Sequence, residues 1–188
     1  MFTLKYLVII CFALAVPGWG FGQKQFLPKR TFYIVRHAEK DTGNNPAISA
    51  AGKKRAGDLY RELKNKKIDL IFVSQFRRTG MTADSLRMYK KIDTVHYIAD
   101  ASGELLFKKI NERAQSAKNI LIVGHSNTLP AIIRRAGVAL FANKEIADHE
   151  YDNLFIVKQN KGKAVLQAKK YGVASVLPAK VSQMNLSQ

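Results

Sequence analysis

Apolar and polar positions follow two different periods along this chain. Residues 31–35, 69–73, 94–98, 119–123 and 154–158 form short runs dominated by aliphatic, aromatic and β-branched side chains. Such runs predict buried strands. A sixth strand, 164–171, follows the turn signal Asn160-Lys161-Gly162 and forms a hairpin with the fifth. Between the first five, apolar residues recur at helical spacing. Ala56, Leu59, Tyr60 and Leu63 share one face of a helix that Ser49 opens as its N-cap. Residues 78–89 carry Met81 and Leu86 in a second helix. Leu106, Ile110 and Ala114 repeat every four residues in a third. Pro130 sits just inside the start of a fourth, which runs to about Arg135 and stops at Gly137. Strand–helix alternation with all-apolar central strands implies a three-layer α/β/α domain. Its sheet is mostly parallel, covered on both faces, and closed at one edge by the antiparallel hairpin.

Residues 1–22 break this pattern. Lys5 precedes ten apolar residues, 7–16, which Pro17-Gly18 then interrupts. Gly20 and Gly22 flank Phe21 in an arrangement similar to a signal-peptidase site, so the expectation is a cleaved signal peptide and a mature start at Gln23. Ten residues fall short of the ~20 needed to span a bilayer, which argues against a membrane anchor. Ile10 before Cys11 argues against a lipoprotein. Residues 23–188 then suit one domain in a periplasmic or secreted protein, with no integral membrane segment left after cleavage. Cys11 departs with the leader, so the mature domain has no disulfide, thiol nucleophile or thiolate ligand.

Composition adds one strong feature. Thirty-one basic residues against 14 acidic ones give a formal charge of +17, which concentrates anions around the protein. The lysines are scattered through 53–67, 90–91, 108–109 and 158–170, as on solvated faces. No recognised nucleic-acid module is present, so no specific nucleic-acid partner is expected.

Candidate chemistry sits where the strands end. Arg36-His37 directly follows the first strand, and Gly124-His125-Ser126-Asn127 follows the fourth. Open α/β sheets place ligands at the carboxyl ends of their strands. Two histidines and an arginine there suit a phosphate site, in which one imidazole attacks phosphorus while the others balance charge. Ser126 and Asn127 precede a helix N-terminus, where backbone N–H groups favour anions. Asn127 either touches substrate or caps that helix.

Four blocks, spanning 31–128 in order, resemble the histidine phosphatase superfamily, also called the phosphoglycerate mutase-like family. They are Arg36-His-Ala-Glu-Lys40, Ile48-Ser49-x-x-Gly52-x-x-Arg55-Ala56-x-x-Leu59, Ser74-x-x-x-Arg78-Thr79-x-x-Thr82-Ala83 and Gly124-His-Ser-Asn-Thr128. The resemblance implies that His37 accepts the phosphoryl group as a neutral imidazole, its second nitrogen donating to a backbone carbonyl. It implies that Arg36 and Arg78 bind phosphate oxygens, for which guanidinium forks are suited. Alignment with Ser74 and Thr82-Ala83 selects Arg78 over Arg77. His125 would donate a hydrogen bond to the transferring group, and Ser74, Thr79 and Thr82 would be structural.

Members of the superfamily usually carry a carboxylic acid shortly after the third strand to protonate the leaving oxygen, worth typically ~10²–10⁴-fold. The corresponding residue here is Asp100, with Glu104 second and Asp152 third. Asp100-x-Ser102-Gly103 also has the form of a turn or helix cap. Without an acid, only substrates with good leaving groups, such as phosphohistidine or acyl phosphates, would turn over well. Glu104, Asn127 and Lys40 are expected to border the substrate. His96 and His149 lack ligand-spaced partners, so neither a metal nor another cofactor is implied.

The expected activity is a metal-independent phosphatase hydrolysing phosphomonoesters through phosphohistidine, similar to short phosphohistidine phosphatases. An envelope location points to a small phosphorylated substrate or a phosphorylated cell-surface glycan. The alternatives are a catalytically silent anion-binding member or a mutase-type phosphotransferase. Ala38 in the first block, the short chain and the leader argue against the mutase.

Overall fold

The computed structural model describes residues 29–175, so the leader expected over 1–22 lies outside the described residues. The chain runs β1 (Arg30–Arg36), α1 (Ala50–Leu63), β2 (Leu70–Ser74), α2 (Arg77–Lys90), β3 (Thr94–Tyr97), α3 (Glu104–Arg113), β4 (Asn119–Gly124), α4 (Leu129–Arg135), β5 (Asn153–Asn160) and β6 (Lys163–Lys170). The six strands form one sheet in the order β3-β2-β4-β1-β5-β6. The first four are mutually parallel, and β5 and β6 add antiparallel pairs at the β1 side. This is the α/β architecture that the hydrophobic pattern predicts.

Alternation along the strands builds the two halves of the core. Phe32 and Ile34 point with Phe72, Ile120 and Ile122 toward Leu106 and Ile110 of α3 and Ile132 of α4. Tyr33 and Val35 point the other way, with Ile71, Val73, Leu121 and Val123, toward Leu59 and Leu63 of α1 and Leu86 of α2. A period of two in strands buried on both faces therefore fixes which helices cover which side.

Local chemistry sets the helix ends. Ser49 caps α1 by accepting the Gly52 N–H at 3.2 Å. Gly52 itself must lack a side chain, because a Cβ there would lie 2.1 Å from the Glu39 carbonyl oxygen. Gly137, at φ +103°, follows α4 as its expected stop. Asn127 does not cap α4. The cap position belongs to Thr128, whose hydroxyl accepts the His125 N–H at 3.1 Å. The third strand stops at Tyr97, one residue before its expected end, and Ile98 is exposed. Among the described residues no helix is long and apolar enough to cross a membrane.

Candidate active site

Sheet register brings the two histidines together. Arg36 at the end of β1 pairs with Gly124 at the end of β4, so His37 and His125 leave neighbouring strands at the same level. The His37 N–H extends the ladder by one bond, to the Gly124 carbonyl at 2.9 Å. The two rings stand edge to face with centroids 5.3 Å apart. On the other side of β4, Val73 pairs with Val123, which brings Ser74 beside His125.

Each imidazole is held by a specific partner. His37 Nδ1 lies 2.8 Å from the Ala38 carbonyl oxygen. A carbonyl only accepts, so Nδ1 carries the proton and Nε2 keeps a free lone pair. The Ala38 peptide is held in turn by Thr82, whose hydroxyl accepts the Ala38 N–H at 2.8 Å and donates to the Arg78 carbonyl at 2.7 Å. His125 Nε2 meets the Ser74 hydroxyl at 2.9 Å, and Arg78 Nη2 donates to its Nδ1 at 3.3 Å. The Phe76 ring completes this wall, perpendicular to His125 and 4.4 Å beneath the Arg78 guanidinium. Ser74 and Thr82 of the third block thus hold His125 and the Ala38 peptide that orients His37.

Burial and positive charge keep both imidazoles neutral. Desolvation, followed by the charges of His125, Arg78 and Arg36, lowers the His37 pKa to about 3. The Ala38 hydrogen bond opposes this shift only in part. Desolvation and the two arginines lower His125 to about 4. Arg78 is also lowered from its ordinary value, first by burial and then by Arg36. Such crowding of cations around neutral imidazoles is the electrostatic signature of an anion site. Arg78 forms no ion pair with any carboxylate among the described residues, and its Nε has no hydrogen-bond partner there.

A cavity of about 370 Å³ joins Arg36, His37, Arg78 and His125 to Lys40, Asp100, Asn127 and Asp148. Seven of the eight expected residues therefore line one space. Lys40 and Asn127 are exposed at its edge. Glu104 is the exception. It points away and pairs with Arg135 at 3.4 Å.

The carboxylates expected to supply a proton are otherwise engaged. Asp100 accepts the Glu104 N–H at 3.0 Å, the Leu105 N–H at 3.3 Å and the Ser102 hydroxyl, so it caps α3 while bordering the cavity. Although slight burial works the other way, these bonds hold its pKa below the ordinary value. That favours the anion over the acid. Asp152 is buried away from the cavity, bound to the Ser175 N–H and to Lys170, and is lowered to about 2 despite desolvation. Among the described residues no group of three histidine, cysteine or carboxylate side chains is placed to hold a metal.

Sequence reasoning missed several residues around this cavity. Arg36 Nη1 donates to the Ala147 and Asp148 carbonyls, both at 2.9 Å, and its Nη2 donates to Asp148 Oδ1 at 3.1 Å. The same guanidinium lies 4.2 Å from the Tyr151 ring centroid. Nothing local marks Asp148, more than a hundred positions from its partner. Glu39 did have a signal, its place beside His37. It receives buried Arg55 through both carboxylate oxygens at 2.7–3.0 Å.

Residues 32–100 match the model of the histidine phosphatase superfamily (branch 1). No curated protein matches the chain. Among solved structures, a candidate phosphohistidine phosphatase SixA from Agrobacterium tumefaciens is 19% identical at a TM-score of 0.55, covering 76% of this chain and 97% of that one. The alpha-ribazole phosphatase from Shigella flexneri is 16% identical at a TM-score of 0.56, covering 78% and 96%. Phosphoserine phosphatase from Entamoeba histolytica, in complex with 3-phosphoglyceric acid, is 13% identical at 0.54, covering 79% and 100%. At these identities the structures speak to the fold. Together with the family match, they support the superfamily that the four sequence blocks resemble.

Proposed function

We propose that this chain, a histidine phosphatase superfamily member by motif and fold, hydrolyses phosphomonoesters through a phosphohistidine on His37. The observation that carries this reading is the His37 tautomer. Its Nδ1 is committed to the Ala38 carbonyl, and its neutral Nε2 shares one cavity with Arg36, Arg78 and His125. Phosphoryl transfer needs positioning and charge balance more than covalent help. Nε2 attacks phosphorus while the two guanidinium groups carry the charge of the equatorial oxygens. The leaving oxygen departs with a proton, and water then cleaves the N–P bond to release inorganic phosphate. No step requires a metal. The arginines of this chain supply the positive charge.

The test uses purified protein and p-nitrophenyl phosphate in the presence of EDTA. Turnover should persist with the chelator and fall by at least a thousandfold in His37→Ala. Rapid quenching of the native protein should trap an acid-labile phosphoryl group on His37. Phosphate binding with neither turnover nor label would instead favour a silent anion-binding member. With residues 1–22 read as a cleaved leader, the proposed site of action is outside the cytoplasm, on a small phosphorylated substrate.

A further inference from the structure

The phosphatase reading leaves one chemical role without an owner, the proton for the leaving oxygen. Asp100 spends both oxygens on the start of α3. Glu39 spends both on Arg55. Glu104 pairs with Arg135, Glu150 with Lys170 and the Ala147 N–H, and Asp152 with Lys170 and Ser175. Asp148 differs from all of them. It lines the cavity that contains His37, and its side chain is 94% exposed at the mouth. Its Oδ1 meets Arg36 Nη2 at 3.1 Å, while its Oδ2 accepts no hydrogen bond among the described residues.

We infer that Asp148 is the general acid of this site, a role that rests on the phosphatase reading above. The backbone supplies the precision. Two carbonyls, at Ala147 and Asp148, accept Arg36 Nη1 and dock this loop onto the phosphate-binding arginine. The carboxyl group therefore stands beside the place where phosphate binds.

The step balances. The His37 Nε2 lone pair forms the N–P bond as the P–O bond to the leaving group breaks. The Asp148 proton passes to that oxygen, which leaves as a neutral alcohol. In the second half, the Asp148 carboxylate takes a proton from the attacking water as the N–P bond breaks. Inorganic phosphate leaves, and the acid is restored.

Leaving-group dependence separates this role from loop docking. Asp148→Asn keeps an oxygen for Arg36 but has no proton to transfer. With O-phosphoserine or glycerol phosphate, kcat/KM should fall by about a hundredfold or more. With p-nitrophenyl phosphate, whose leaving group needs no proton, the fall should stay below about tenfold, and Asp148→Glu should recover part of the alkyl activity. Equal losses on both substrates would overturn the proposal in favour of a docking role. A gain on both would show that Asp148 only competes with phosphate for Arg36, and native protein inert toward alkyl phosphates would also overturn it. His37→Ala is assayed in parallel with p-nitrophenyl phosphate. Undiminished turnover there would bring down the underlying phosphatase reading, a failure distinct from that of Asp148.

Discussion

His37 and His125 are neutral because of where they sit. Burial comes first and the neighbouring cations second, and both disfavour an imidazolium. His37, the proposed nucleophile, therefore keeps its lone pair far below the pH at which a free histidine would lose it. The acid limb of kcat/KM, once corrected for the second ionisation of the phosphomonoester at about pH 6, should lie below pH 5. A limb near 6.5 would contradict the buried, Ala38-bonded ring. Stability follows the same linkage. Between pH 6.5 and about 3 the unfolded chain binds protons that the native histidines refuse, so stability falls as pH drops through that window. Asp152, lowered to about 2, acts with the same sign. Its contribution is complete above the unfolded carboxylate range and disappears as pH falls toward 2.

At the scale of elements, the site is a consequence of strand pairing and of one close helix approach. The α1 N-terminus is docked on the chain leaving β1. The Ser49 N–H donates to the Glu39 carbonyl at 2.8 Å, and Gly52 packs where a Cβ would collide with that same oxygen. Gly52→Ala should therefore push Glu39 and its Arg55 partner apart, at a cost of about 1–3 kcal/mol. Urea titration should show a lower midpoint with an unchanged slope. An unchanged midpoint would mean that the helix slides without penalty. Strands and helices are largely legible from the chain because their periods differ and each core residue repeats on its own face. Residues near the ends are less so. Asp100 is the residue expected to supply the acid, yet Ser102 and the free N–H groups of α3 claim its carboxylate. Asn127, expected at the start of α4, leaves the cap position to Thr128.

Across the whole molecule, the chain carries a formal charge of +17, and Arg36 and Arg78 converge on one cavity. Long-range attraction from scattered lysines is screened by salt, as the Debye length shrinks from ~30 Å at 0.01 M to ~3 Å at 1 M. Contacts inside the cavity are screened far less. For a dianionic substrate, kcat/KM should fall several-fold over that range while kcat stays nearly constant. A parallel fall in kcat would place the effect on Arg36 and Arg78 themselves.

The chain by itself determined the alternation of strand and helix, the His37 and His125 positions at strand ends, and the four blocks that resemble the histidine phosphatase superfamily. These depend on neighbours within a few residues, and local periodicity records them. Only the tertiary structure decided that Asp148 docks on Arg36, that Glu104 and Asp152 turn elsewhere, and that Ser74 and Thr82 hold His125 and the Ala38 peptide. Those contacts join segments far apart in sequence, through a sheet register and buried hydrogen bonds that no local pattern encodes.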